Sequence, residues 1–225
     1  MKKILTIVLV AFSAASFAQV SVGPKLGLGL STIKDTKVST GNTAGSYTSI
    51  ITPQIGAVLN VQMGDIFALR PELLFVQRGF KQVQNGFTTV GRVSYLELPI
   101  NVAAGFQAGP GKLEFFAGPS FGFGLGGKIK SEGNGSSNTT TVKSGKEPAS
   151  NVPSNTVYLN GFNASLNFGI DYKFDNGLLI QAGYNLGLTN MLPHYADSNA
   201  ESTRSEDVTK ASAFNFGVAY LFGGK

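Results

Sequence analysis

Beyond residue 18, apolar and polar residues alternate one by one along nearly the whole chain. A period of two belongs to a β-strand and not to a helix. Val20, Val22, Leu26, Leu28 and Leu30 share one face of a first segment, with Ser21, Gly23, Lys25, Gly27 and Gly29 on the other. Ile51, Ile55, Ala57, Leu59 and Val61 repeat this against Thr52, Gln54, Gly56, Asn60 and Gln62, and further segments follow at 67–78, 96–106, 113–125, 162–174, 178–188 and 214–222. The expectation is an all-β fold: an eight-stranded antiparallel transmembrane β-barrel, an up-and-down meander over residues 19–225.

The connections alternate in length. Short turns are expected at Gly64 and Asp65, at Gln107 to Lys112, and at Asp175, Asn176 and Gly177, the last a good hairpin sequence. Long polar segments run from Thr32 to Ser46, Gly79 to Gly91, Gly126 to Thr156 and Met191 to Thr209, and are expected to be loops, the third of them mobile. Antiparallel order then puts the short turns and both termini at one end, as in bacterial outer-membrane barrels with periplasmic turns and long extracellular loops.

Periodicity does not say whether the apolar face looks into a lipocalin-like cavity or out to lipid; volume does. The bore of an eight-stranded barrel is just filled by side chains, and about five bulky Phe, Leu or Ile per strand would overfill it. The other face, rich in Gly, Ser, Asn and Gln, fits. In that register the lumen collects Lys25, Arg70, Arg78 and Lys173 with Glu72, Glu97, Glu114 and Asp171, four positive against four negative. Buried charges need partners, so a plugged, ion-paired lumen is expected, with Arg70 as its hub. On the lipid face Phe67, Phe106, Phe115, Phe174, Tyr220 and Phe222 fall beside the short turns and are expected to form a periplasmic aromatic girdle. Pro24, Pro53, Pro71, Pro99 and Pro119 lie inside the segments, where each removes a ladder donor. Bulges or irregular rungs are expected at some of these positions.

The start of the chain combines Lys2 and Lys3, an apolar run from Ile4 to Ala15, and Ser16 and Ala18 ahead of Gln19. This is the pattern of a cleaved secretory signal peptide over residues 1–18. With no Cys in the chain, neither a disulfide framework nor a cysteine-linked lipid anchor is available.

Gly23-Pro24-Lys25-Leu26-Gly27-Leu28, Leu69-Arg70-Pro71-Glu72-Leu73-Leu74-Phe75, Tyr95-Leu96-Glu97-Leu98-Pro99, Ala117-Gly118-Pro119-Ser120 and Tyr184-Asn185-Leu186-Gly187-Leu188-Thr189 together resemble the porin-like, PorT-type outer-membrane β-barrel domain family. The resemblance spans nearly the whole of residues 19–225 and takes in four of the prolines, Pro24, Pro71, Pro99 and Pro119. It implies an outer-membrane barrel, in some relatives linked to protein secretion, and no particular activity. The chain ends Phe222-Gly223-Gly224-Lys225, which displaces the terminal aromatic insertion signal by three residues.

Chemistry-bearing motifs are sparse. Gly122, Gly124 and Gly127 match G-x-G-x-x-G with no helix pattern behind them, so they read as small inward residues of a strand. His194 is the only histidine, and nothing places a nucleophile and an orienting acid beside it or the nearby Ser198. Asp197, Glu201, Glu206 and Asp207 form an acidic loop without calcium-loop spacing, which Lys128, Lys130, Lys143 and Lys146 could offset. No catalytic residue, metal or cofactor is expected. The expected role is a non-enzymatic barrel whose outer loops bind a ligand or partner, with a secretion accessory as one version. The alternatives are a narrow porin-like channel or a lipid A-modifying enzyme. Expected partners are outer-membrane lipid and lipopolysaccharide, the barrel-assembly machinery and an extracellular ligand or secretion component, with no nucleic acid.

Overall fold

The computed structural model of the protein describes residues 19–37, 46–146, 148, 153–192 and 208–223. The signal-peptide segment, His194, Ser198 and the acidic residues Asp197, Glu201, Glu206 and Asp207 therefore lie outside the described residues. Eleven strands follow in order: β1 (Gln19–Lys37), β2 (Ile50–Met63), β3 (Phe67–Gln84), β4 (Phe87–Gln107), β5 (Gly111–Gly133), β6 (Ser136–Ser144), β7 (Thr156–Leu159), β8 (Phe162–Phe174), β9 (Leu178–Gly187), β10 (Val208–Tyr220) and β11 (Phe222–Gly223).

Eight of them close a ring, β1-β2-β3-β4-β5-β8-β9-β10, with β10 returning to β1 and every neighbour antiparallel. Closure leaves no strand edge, so the backbone can be paired internally across a bilayer. The other three strands are additions to the ring. β11 continues the line of β10 after Leu221 and pairs with β1 at Ser21 and Val22. β6 pairs antiparallel with the outer end of β5, and β7 lies parallel to β6.

Side-chain exposure is inverted relative to a water-soluble protein. Leu26 and Ile51 are about 60% exposed, whereas Arg70 and Glu114 are wholly buried. Large apolar side chains outside and charges inside is the arrangement a lipid solvent selects.

Two expectations change. The segments from Gly79 to Gly91 and from Gly126 to Thr156 were expected as loops, yet most of both is strand. β3 and β4 run on to a turn at Asn85 and Gly86, and β5 and β6 to a turn at Asn134 and Gly135. At each turn both residues have positive φ, 51° and 78° in the first and 50° and 75° in the second, the conformation of a two-residue type I′ hairpin. Thr88, Thr89 and Val90, and Thr139 to Val142, are β-branched and suit the ribbons that lead to these turns. About ten residues suffice to cross a bilayer, so β4, with 21, and β5, with 23, project well beyond it.

Pro71, Pro99 and Pro119 produce lapses rather than bulges. The ladder skips two residue pairs beside Pro71 (β2–β3), Pro99 (β3–β4) and Pro119 (β4–β5), then resumes in the same register. A missing N–H removes hydrogen bonds without adding a residue, so nothing shifts. The register shifts that do occur lie between Asp35 and Lys37 and between Ser94 and Tyr95. In the second, β5 carries one extra residue, Leu125, next to Gly126 at φ 96°.

Candidate functional site: a charged, closed lumen

The period of two aims alternate residues of every strand into the bore, and three inward residues of β3 organise what they meet. Arg70 lies deepest. Its Nε and Nη2 donate to Asn60 Oδ1 on β2 at 3.1 and 3.0 Å, its Nη2 to Glu114 Oε2 on β5 at 2.6 Å, and its Nη1 to Asp171 Oδ2 on β8 at 2.5 Å. Glu114 and Asp171 are directly opposed in the β5–β8 ladder, a like-charge pair that would repel without the guanidinium between them.

Glu72, one inward step along β3, accepts from Lys25 Nζ on β1 at 2.6 Å; Lys25 also donates to Gln181 Oε1 on β9. Further out, Arg78 forms a two-point fork with Glu97 on β4, Nε to Oε1 at 3.1 Å and Nη2 to Oε2 at 2.9 Å. Its Nη1 donates to Asn215 Oδ1 on β10 at 3.2 Å. The three groups thus take one or more side chains from each of the eight ring strands. Planar, bidentate guanidinium contacts suit such cross-bore bridging.

Of the eight charged residues assigned to the lumen, seven are joined in these groups. Lys173 is not among them; it donates to Gln62 Oε1 at 2.9 Å near the short-turn end. Glu72 pairs with Lys25 rather than with Arg70.

Apolar packing closes what the charges leave. Ala68, Ala103 and Phe116 pack at the depth of Arg70, and Val58, Leu179, Ala219 and Leu221 form a second cluster. Phe116 lies over two glycines: a Cβ on Gly169 or Gly183 would come within 2.7 Å of its Cζ. Towards the outer end Leu74, Val76, Val93, Tyr95 and Val142 form a third cluster, which the sequence reading missed. Between the charged groups lies a cavity of about 30 Å³, lined by Lys25, Glu72, Arg78 and Glu97 among others. That is room for about one water. At the short-turn end the bore widens into an open mouth of about 940 Å³, flanked by Lys112, Lys173, Asp65 and Asp175.

The six aromatics assigned to the girdle lie on strands within a few residues of the short turns. Phe67, Phe106, Phe115, Tyr220 and Phe222 are exposed on the outer surface, and Tyr220 meets Phe222 edge-on at 4.9 Å. Phe174 is half-buried against Tyr172, with ring centroids 4.6 Å apart. Among the described residues, no group of three or more His, Asp or Glu could hold a metal ion.

The sequence profile of the outer membrane protein beta-barrel domain family matches residues 16–192. The chain belongs to this family. It is accordingly a protein of the outer membrane. Solved structures similar to it include Ail, the attachment invasion locus protein of Yersinia pestis. That match has 12% identity and a TM-score of 0.43, and covers 91% of this chain and 99% of Ail. Neisserial surface protein A is similar at 12% identity and TM-score 0.41, with 90% and 97% covered. The N-terminal barrel domain of Pseudomonas aeruginosa OprF is similar at 12% identity and TM-score 0.32, with 91% and 99% covered. No curated protein matches the chain.

Proposed function

We propose that the protein is a non-enzymatic, non-conducting outer-membrane barrel, exported by a signal peptide over residues 1–18, that holds its outer β-ribbons up to a ligand or protein partner. The observation that carries this reading is the lumen. Its charges are paired across the bore, its outer end is packed with Leu74, Val76, Val93, Tyr95 and Val142, and its internal cavity is about 30 Å³. A channel needs a continuous wet path, and a site for chemistry needs access for a substrate. Glu114 and Asp171 are acids in number enough for general acid–base work, but both are buried and held by Arg70. With the bore committed to stability, the features left to carry function among the described residues are the projecting ribbons β3–β4 and β5–β6.

A secretion accessory of the PorT type is one version of this role, with the ribbons contacting a secretion component. The test is to shorten both ribbons to the level of the barrel rim, rejoining each with an Asn-Gly turn. The trimmed protein should insert normally and keep its heat-modifiable gel mobility, yet leave a deletion strain with its defect. Full complementation by the trimmed protein would refute the reading. A change in lipid A mass on deletion would point to the enzyme instead.

A further inference from the structure

Three ring strands repeat one outward-facing pattern at their outer ends. Leu30, Thr32 and Lys34 succeed one another on the outer face of β1, Phe214, Ser212 and Lys210 on β10, and Leu96, Ser94 and Arg92 on β4. In each, a strongly exposed apolar residue is followed two positions on by a hydroxyl and four positions on by a cation. On β5 the order is Leu125 then Lys128, compressed by the bulge at Gly126. Four residues span about 13 Å of strand, or about 10 Å along the normal at the usual barrel tilt. The headgroup layer beyond the hydrocarbon edge is about 5–7 Å deep, so the backbone of the cation lies just outside it and the long side chain can reach back into it.

The cations also sit where they oppose one another. Lys34 is directly across from Lys210 in the β1–β10 ladder, and Arg92 directly across from Lys128 in β4–β5. Opposed like charges destabilise a sheet unless an anion lies between them. Lys130 and Lys143 extend the second pair on the same outer face; of these six cations only Lys130 has a carboxylate partner among the described residues, Glu132 at 2.5 Å. Arg92 Nη1 donates to the Ile51 carbonyl on β2 at 3.0 Å, so its side chain reaches across β3, away from Lys128. The short-turn rim differs: Lys112 and Lys173 there are matched by Asp65 and Asp175.

The geometry points to a phosphate-binding collar: Lys34 and Lys210 clamp a phosphate of the anionic glycolipid of the outer leaflet, and Arg92 and Lys128 each offer a separate phosphate contact at the same rim. It rests on the outward direction of the ribbons in the reading above, but uses the barrel rim and not the ribbon tips. Among the described side chains the outer rim is basic and the inner one charge-balanced, which suits a membrane whose outer leaflet carries phosphorylated lipid.

The test uses the full folded chain in zwitterionic detergent, with lipid A bearing both phosphates and dephosphorylated lipid A as probes, and binding read by native mass spectrometry. Each cation near an anionic lipid surface is worth about fivefold in affinity. A variant combining Lys34→Gln, Lys210→Gln, Arg92→Gln and Lys128→Gln should bind phosphorylated lipid A at least tenfold more weakly than the wild type. Lys112→Gln at the other rim should bind as the wild type does. All four substituted side chains are at the surface, and gel mobility checks that the barrel has formed. If the fourfold variant fails to form, the Lys34→Gln/Lys210→Gln pair alone should still weaken binding at least threefold. A smaller loss, or equal binding of the dephosphorylated lipid by the wild type, would overturn the collar. Neither result bears on ribbon trimming, so the two proposals fail separately.

Discussion

Replacing Arg70 with Ala removes the one cation that separates Glu114 from Asp171 and leaves both carboxylates, together with Asn60, without their shared donor. The side chains of Arg70, Glu114 and Asp171 are fully buried, so water cannot replace the lost contacts cheaply. Breaking a buried pair by removing one partner costs about 3–5 kcal/mol, and here two acids are stranded at once, so the upper part of that range is expected. Removing the whole group is a different matter. Arg70→Met combined with Glu114→Gln and Asp171→Asn leaves no unpaired buried charge in this group, and most of the loss should be recovered. Lys130→Ala at an ion pair more than half exposed to solvent should cost ~1 kcal/mol or less. The chain has no Trp, so urea unfolding in detergent is best followed by far-UV circular dichroism and by heat-modifiable gel mobility. An Arg70→Ala barrel as stable as Lys130→Ala, or a triple variant no more stable than the single one, would refute the hub.

Other expectations follow from the facing of the strands and the packing of the bore. Ala57→Arg, Val102→Arg and Leu166→Arg place a cation on the exposed outer face, and each should cost about 2–4 kcal/mol near the midplane, read as reduced insertion. Normal assembly of all three would contradict the facing. Gly183→Leu drives a side chain into Phe116 and should destabilise by about 1–3 kcal/mol, with partial rescue by Phe116→Ala in the same unfolding assay; no rescue would mean that the clash lies elsewhere. An epitope inserted at the Asn134–Gly135 turn should be labelled on intact cells and one after Gly64 should not, whereas equal labelling would reverse the topology.

The strands and their facing were legible because the alternation is strict where one face meets lipid and the other a narrow bore. Leu26 and Lys25, or Leu69 and Arg70, cannot exchange faces without burying apolar bulk or exposing charge to lipid. The ribbons were hidden because their faces are both polar, so period-two contrast fades beyond Gly79 and Gly126. The Asn85-Gly86 and Asn134-Gly135 dipeptides were the signal that should have extended the strands, since Asn-Gly strongly favours a two-residue hairpin. The outer plug was missed for the opposite reason. Leu73-Leu74-Phe75-Val76 is apolar on both faces, so Leu74 and Val76 do not stand out as inward residues. Charge balance in the bore could be counted from sequence, but the choice of partners could not. Glu72 meets Lys25 two strands away, and Arg70 meets Asp171 across the bore. Both depend on barrel stagger, which no local pattern encodes.

Single-channel recording of the purified wild type in planar bilayers asks whether the bore is closed by its own side chains. A silent membrane is expected at physiological salt and moderate voltage. Conductance should arise only when the cross-bore groups are removed together with part of the outer plug, for instance Arg70→Ala, Arg78→Ala and Tyr95→Ala in one chain. A large, steady conductance from the wild type, unchanged by those substitutions, would contradict it.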